Sequence, residues 1–288
     1  MSSNNKKEIL PKQHQNRQPG YEYQMNPLPQ FEDPNYNGSG KLKDKVAIIT
    51  GGDSGIGRAV SIYFAKEGAD VAIIYFDEHK DAEDTKELVE KEGQNCILIS
   101  GDVSDPDFCN SSVQTIMSEL GKVDILVNNA AVQYPQNDFM SITNEQFERT
   151  FKVNIFSFFY MTKAVVPHLK QGSSIINTSS ITAYKGNENL IDYTSTKGAI
   201  TSFTRALSQS LIKKGIRVNA VAPGPIWTPL IPASFNEQQV SEFGSDTPMG
   251  RPGQTYELAP AYVYLASNDS SYVSGQMIHV NGGIVVNG

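Results

Sequence analysis

The chain has 288 residues, 39% apolar and 19% charged, with a formal net charge of −7. That length allows one large α/β domain, or two small ones, with a sizeable core. A negative balance with no long Lys/Arg run argues against nucleic acid and anionic membrane surfaces as partners, since both require a basic patch.

Residues 1–40 differ in composition from the rest of the chain. They hold Pro11, Pro19, Pro27, Pro29 and Pro34, many Gln and Asn, and almost no aliphatic side chains, so they cannot build a core of their own. Two states are open for them: a disordered or extended tail, or a strap that uses Tyr21, Tyr23 and Phe31 to lie along its own domain or a neighbouring subunit. Four basic and four acidic residues cancel within the tail, so the negative charge belongs to residues 41–288.

From Lys45 onward, short β-branched apolar runs alternate with amphipathic stretches. Val46–Thr50 reads as a strand, followed by glycines and a helix through Ala59 and Ala65. Asp70–Tyr75 is a second strand, and Lys80–Glu92 a charged helix stopped by Gly93. Cys96–Ile99 is a third strand, and the helix from Asp105 to Leu120 takes Ser104 or Asp105 as its cap. Val123–Val127 is the fourth strand, followed by one long helix from Asn144 to Leu169. Ser174–Asn177, a helix over Asp192–Ile212, and Ile216–Val221 complete the fifth and sixth strands. A Pro-rich irregular segment, Pro223–Pro252, precedes a helix at Tyr256–Ala266 and a last strand at Met277–Val280. Strands apolar on both faces and separated by helices imply a parallel sheet covered on both sides. The expectation is α/β: a single Rossmann-like, doubly wound domain over 41–288, with a seven-stranded parallel sheet and helices on both faces.

Composition limits the chemistry further. Cys96 and Cys109 are too few for a disulfide framework and read as small buried apolar groups. No apolar run reaches the roughly eighteen residues of a membrane span. The Met-Ser-Ser-Asn-Asn-Lys-Lys opening lacks a signal peptide's apolar stretch, so a reducing cytoplasm is expected. His14, His79, His168 and His279 are scattered, without ligand spacing, and no metal is expected.

Three stretches carry chemistry. Thr50-Gly51-Gly52-Asp53-Ser54-Gly55-Ile56-Gly57 follows the first strand and opens a helix, where free N–H groups and a partial positive charge suit a diphosphate. Its Gly-x-x-x-Gly-x-Gly spacing is looser than the common Gly-x-Gly-x-x-Gly fingerprint. Tyr193 and Lys197 are four residues apart, so a helix sets both on one face, with the ammonium acting on the phenol to lower its pKa. Ser180 lies thirteen residues before Tyr193. The end of the second strand, Tyr75-Phe76-Asp77-Glu78, offers carboxylates and no cation where the adenosine 2′ position falls. Neither Ser54 nor Phe76 is basic, although Lys80 and Arg58 are close in sequence, so NAD is expected and NADP is the alternative.

The ordered set Thr50–Gly57, Asn128-Asn129-Ala130, Ser180, Tyr193–Lys197 and Pro223-Gly224-Pro225-Ile226 resembles the short-chain dehydrogenase/reductases over residues 45–283. The Pro-rich tail resembles a bacterial subgroup of stress-associated oxidoreductases and aldehyde reductases. Ala131 departs from the family's usual Gly after Asn-Asn-Ala. The resemblance implies hydride transfer between a nicotinamide cofactor and a small alcohol or carbonyl substrate. Gly51, Gly55, Ile56 and Gly57 would cradle the diphosphate, Asp53 and Ser54 of the same turn would also meet the cofactor, and Tyr75, Phe76 and Asp77 would lie at the ribose. Asp102 and Val103 would meet adenine, Asn129, Ala130 and Ala131 would line the ribose, and Pro223, Gly224, Ile226 and Thr228 would hold the carboxamide. Tyr193 would be general acid/base, Lys197 would tune it and bind the cofactor ribose, Ser180 would hold the substrate oxygen, and Asn154 would hold a relay water. A homotetramer is implied, joined through Phe151–Leu169, Ile200–Leu211 and the last strand. The competing reading is a catalytically silent cofactor-binding sensor.

Overall fold

In the computed structural model, which describes residues 6–286, the regular elements follow the expected alternation. They are β1 Val46–Thr50, α1 Gly55–Lys66, β2 Asp70–Tyr75, α2 His79–Lys91, β3 Cys96–Ser100, α3 Pro106–Leu120, β4 Ile125–Asn128, α4 Asn144–Phe151 and α5 Ser157–Val165. They continue with β5 Ser174–Thr178, α6 Thr182–Lys185, α7 Ile191–Leu211, β6 Arg217–Pro223, α8 Glu237–Ser241, α9 Ala259–Ala266 and β7 Met277–Val280. All seven strands pair in parallel, in the order β3-β2-β1-β4-β5-β6-β7. The chain runs outward from β1 to β3, then crosses back to β4 on the other side of β1. That reversal opens a crevice beyond the carboxyl ends of β1 and β4, the place where open α/β sheets bind ligands.

β1 and the body of β2 are buried on both faces because a layer of helices packs on each. One apolar cluster joins Ala47, Ile49, Val71 and Ile73 to Tyr63 and Phe64 of α1 and Tyr262 of α9. The other joins Ile48, Ala72, Leu126 and Ile175 to Val113 and Ile116 of α3 and Met161 of α5. Alternate residues of one strand thus serve opposite faces, as the period of two requires.

The helix expected over Asn144–Leu169 runs without a gap from Asn144 to His168, but its winding changes on the way. A π-helical turn at Lys152–Phe156 separates α4 from α5, and a 3₁₀ turn, Val166–His168, follows α5 at Pro167. The π turn carries Asn154, whose amide brackets the backbone of Val132: its Oδ1 accepts from the Val132 N–H and its Nδ2 donates to the Val132 carbonyl, both at 2.8 Å. The π turn therefore coincides with a buried polar clamp on the segment after β4.

Of the two states open for the N-terminal tail, its described part, 6–40, lies along its own domain; residues 1–5 fall outside the described chain. The Ile9 and Leu10 N–H groups donate to the Ser241 carbonyl and the Gln15 N–H to Pro232. Glu22 and Tyr23 donate their N–H groups to the Asp81 carboxylate, at 2.7 and 3.1 Å. A third apolar cluster forms where the tail meets the Pro-rich segment: Met25 packs with Trp227, Ile231 and Val240, flanked by Leu10, Phe235 and Phe243. Trp227 is fully buried, and its indole N–H donates to the Pro27 carbonyl at 2.9 Å. The aromatic groups of 226–250 thus serve largely as the seat of the tail, while Met249 stays exposed.

Removing that anchor tests the arrangement. Trp227→Ala is expected to lower stability by about 3–5 kcal/mol in denaturant titration and to open the segment around Pro27 to protease. Unchanged stability, with that segment still protected, would contradict this packing.

Candidate active site

The glycine turn after β1 is built for close approach of backbones. Gly51 has φ +61° and Gly55 φ +54°, values that favour glycine. At Gly57 a Cβ would fall 1.8 Å from the Gly51 carbonyl oxygen, so α1 can pack this tightly on the turn only without a side chain there. Ser54 caps α1 without a side-chain hydrogen bond. One first-turn donor is nevertheless taken: the Gly55 N–H donates to Glu22 Oε2 of the tail at 2.5 Å. Burial raises the Glu22 carboxyl to about 7, opposed by the Arg58 guanidinium 2.6 Å away. Asp53, also buried, is raised to about 6.

At the far end of the crevice, Lys197 on α7 is buried and its Nζ donates to the Thr178 carbonyl at 2.8 Å. No carboxylate faces it among the described residues, so burial alone depresses its pKa to about 7. Its Nζ lies 5.3 Å from the centre of the Tyr193 ring. Burial pushes the Tyr193 phenol up to about 12, and a hydrogen bond with Ser180 is the one opposing influence. Without the cofactor the phenol thus lies above its ordinary value, with desolvation as the largest influence, against the lowering expected from Lys197. The Ser180 hydroxyl also accepts from the Thr182 N–H and hydroxyl, at 3.1 and 3.0 Å. Ser179 turns away, its Oγ donating to the Lys197 carbonyl.

One continuous cleft brings most of the expected residues together. It is lined by Gly51, Asp53, Ser54, Gly55, Ile56, Tyr75, Phe76, Asp102, Val103, Asn129, Ala130 and Ala131 on one side, and by Ser180, Tyr193, Lys197, Pro223, Gly224, Ile226 and Thr228 on the other. Three expected residues lie outside the lining. Gly57 sits behind the turn, Asp77 pairs with Arg17, and the Asn154 amide is spent on Val132 and, at 3.3 Å, on Thr196. The two N–H groups of Asn154 are thus both used, and none of its hydrogen bonds reaches Lys197. Asp102 is likewise committed, accepting from the Ser104 N–H at 2.9 Å and from Arg149 at 2.8 Å. Burial acts to raise its carboxyl, but those bonds hold it below the usual carboxylate range. Asn129 stitches the strands, its amide donating to the Thr50 and Gly51 carbonyls. Ala131 requires none of glycine's freedom: among described residues other than glycine, only Asp44 has positive φ.

Several groups in or beside the cleft carry no local sequence signal. Thr178 presents its carbonyl to Lys197 and its hydroxyl to Tyr262, 2.7 Å away. Arg149 reaches the cleft from α4, and Gln18, Pro19 and Gly20 reach it from the tail. The cleft suits an elongated dinucleotide: at one end lies the N-terminus of α1, where Glu22 holds the Gly55 N–H and Ser54 adds no side-chain bond, and at the other a buried ammonium that makes one hydrogen bond among the described residues.

The chain and its fold match known proteins. A family model described as enoyl-(acyl carrier protein) reductase matches residues 51–285. This chain belongs to the short-chain dehydrogenase/reductase family. It is 65% identical to the oxidoreductase YhxC of Bacillus subtilis, covering 99% of this chain and 100% of that one. It is 53% identical to glucose and ribitol dehydrogenase of Daucus carota, covering 97% and 98% of the two chains. A crystal structure of a short-chain dehydrogenase from Burkholderia cenocepacia, in complex with NADP, superposes with a TM-score of 0.80 at 27% identity, covering 84% of this chain and 98% of that one. As a family member the chain is an oxidoreductase with a nicotinamide-dinucleotide fold. Among the described residues no His/Cys/Asp/Glu group has metal-holding geometry, and no helix is long and apolar enough to cross a membrane.

The burial of Lys197 in this reductase fold predicts a pH signature. Its folded pKa lies below the ordinary 10.5, so between about 7 and 10.5 the unfolded chain binds more protons and stability from this position rises with pH. Lys197→Met, free of that cost, is expected to be more stable than wild type at pH about 7, with the gap shrinking toward pH about 10 in denaturant titrations. A gap independent of pH would show that Lys197 is not held uncompensated.

Proposed function

We propose that the protein transfers a hydride between a nicotinamide dinucleotide and a small alcohol, aldehyde, ketone or sugar carbonyl, with Tyr193 as the proton-transferring group. The observation that carries this reading is the meeting of the Tyr193 phenol and the Ser180 hydroxyl in the cleft, above an ammonium that no carboxylate neutralises among the described residues. When bound, the cofactor supplies the hydride and, once oxidised, a positive ring.

The protein's own groups do the rest. Ser180 donates its hydroxyl hydrogen to the substrate oxygen, stabilising charge as it develops there. Tyr193 gives its proton to that oxygen in reduction and takes it back in oxidation. Its phenol, held near 12 by burial, is fully protonated at neutral pH and so is poised as the acid of the reductive direction. Lys197 holds its ammonium beside the ring, offers its two remaining N–H groups to the cofactor ribose, and stabilises phenolate as it forms. Asn154 acts by position, fixing Val132 and thereby the turn that follows β4. The substrate end of the cleft adds polar side chains, Gln133, Lys185 and Asn187, which suit a hydroxylated carbonyl compound and agree with the sugar and polyol named for the carrot relative. Phe147, Phe156 and Phe159 stay exposed along α4, the π turn and α5, apolar surface that suits a homotetramer.

A panel of small alcohols, aldehydes and aldoses followed at the nicotinamide absorbance tests the activity. Tyr193→Phe is expected to lower kcat by about 10²–10⁴-fold while the cofactor Kd changes less than about twofold. Equal rates for variant and wild type would remove Tyr193 from the chemistry, and dinucleotide binding without turnover of any substrate would favour the sensor.

A further inference from the structure

The cation that the sequence around β2 does not supply is delivered by the tail. The two basic residues near β2 in sequence are already committed. Arg58 bonds Glu22, Asp81, Thr85 and the Asp53 carbonyl, all buried, and Lys80 pairs with Asp84 at 2.9 Å on the surface. Arg17 is placed differently. Its Nη2 pairs with Asp77 and lies 3.3 Å from Glu78 Oε1, at the end of β2, where this fold meets the adenosine 2′ position.

The guanidinium is held in place there. Its Nε donates to the Pro19 carbonyl at 2.6 Å, and its plane lies 3.9 Å from the centre of the Tyr21 ring. The next residue, Gln18, accepts from the Gln133 N–H at 2.9 Å, and its amide lies 3.3 Å from Ser234 Oγ. The tail thus crosses the cleft from the end of β2 to the loop after β4 and the 226–250 segment. A planar fork of donors on a fixed arm suits a phosphate dianion. Burial raises the Glu78 carboxyl above the usual carboxylate range, and Asp77, half-exposed where Glu78 is buried, is the partner that a phosphate would displace.

We propose that Arg17 recognises the 2′-phosphate of NADP(H), so that the N-terminal segment forms part of the cofactor site and sets the preference between the two dinucleotides. This rests on the dinucleotide-dependent activity proposed for the cleft. Asp77 is the competing partner: with NAD it keeps Arg17, and with NADP the phosphate takes its place.

The test is the Kd of NADP and of NAD, measured by calorimetry for the full-length protein, for Arg17→Ala and for Asp77→Asn. Arg17→Ala is expected to weaken NADP roughly 10- to 100-fold, the loss of charged hydrogen bonds, with NAD within about threefold. Asp77→Asn, which removes the competing carboxylate, is expected to shift the ratio of affinities toward NADP. Equal weakening of both dinucleotides by Arg17→Ala would make Arg17 only an anchor of the tail, and unchanged affinities would remove it from the site; either overturns the proposal. Failure of the wild type to bind either dinucleotide would instead sink the functional reading on which the proposal rests.

Discussion

A lysine ammonium buried without a counter-charge is the constraint around which this molecule is arranged. Removing an ammonium from water is costly unless hydrogen bonds or charges replace the lost solvation. Lys197 donates one hydrogen bond, to the carbonyl of Thr178 at the carboxyl end of β5. The position is possible because the parallel sheet fixes β5 rigidly between β4 and β6 and because α7 is anchored along it by Thr201, Thr204 and Ile200, all buried. An electron-rich, anionic or hydroxyl-bearing ligand recovers the missing solvation. The site is therefore unstable by itself and favourable when filled, the usual direction of the stability–function compromise.

The same logic runs along the cleft. Glu22, Asp53 and Glu78 have carboxyls raised by burial close to one another, and Arg58 lies within reach of this cluster. The tail is part of this electrostatic arrangement: its Glu22 holds the Gly55 N–H and pairs with Arg58, while Arg17 reaches Asp77. Met25 and Trp227 supply the apolar contact that keeps the segment down. A chain stretch too polar for a core of its own is ordered by borrowing the core of its neighbour.

Much of this was legible in the residues. β1 and β2 fall on the apolar runs of the sequence, since a strand buried on both faces leaves a continuous apolar signature, and β7, half-buried at the sheet edge, keeps the bounds read for it. Tyr193 and Lys197 share a face of α7 through their four-residue spacing, and Ser180 meets them from just past the carboxyl end of β5. What escaped has physical causes. The π turn at Lys152–Phe156 interrupts no apolar period; only the tertiary bond of Asn154 to Val132 reveals it. α6 and α8, at four and five residues, are too short to show periodicity. Arg17 and Gln18 lie far along the chain from the strand ends they serve, and no local pattern joins a Pro-rich tail to a site whose other parts begin about thirty residues later. The phenol of Tyr193 shows the same limit: sequence gives its distance from a lysine, whereas its pKa depends on how completely both are buried.

The most direct measurement tracks the hydride itself. The protein is incubated with a reduced nicotinamide cofactor carrying two deuteriums at the transferring carbon and with a hydroxylated aldehyde that it turns over, and the alcohol formed is examined by NMR and mass spectrometry. One deuterium on the former carbonyl carbon, with a solvent proton on the oxygen, is the result this account predicts. Alcohol formed without deuterium at that carbon would contradict it.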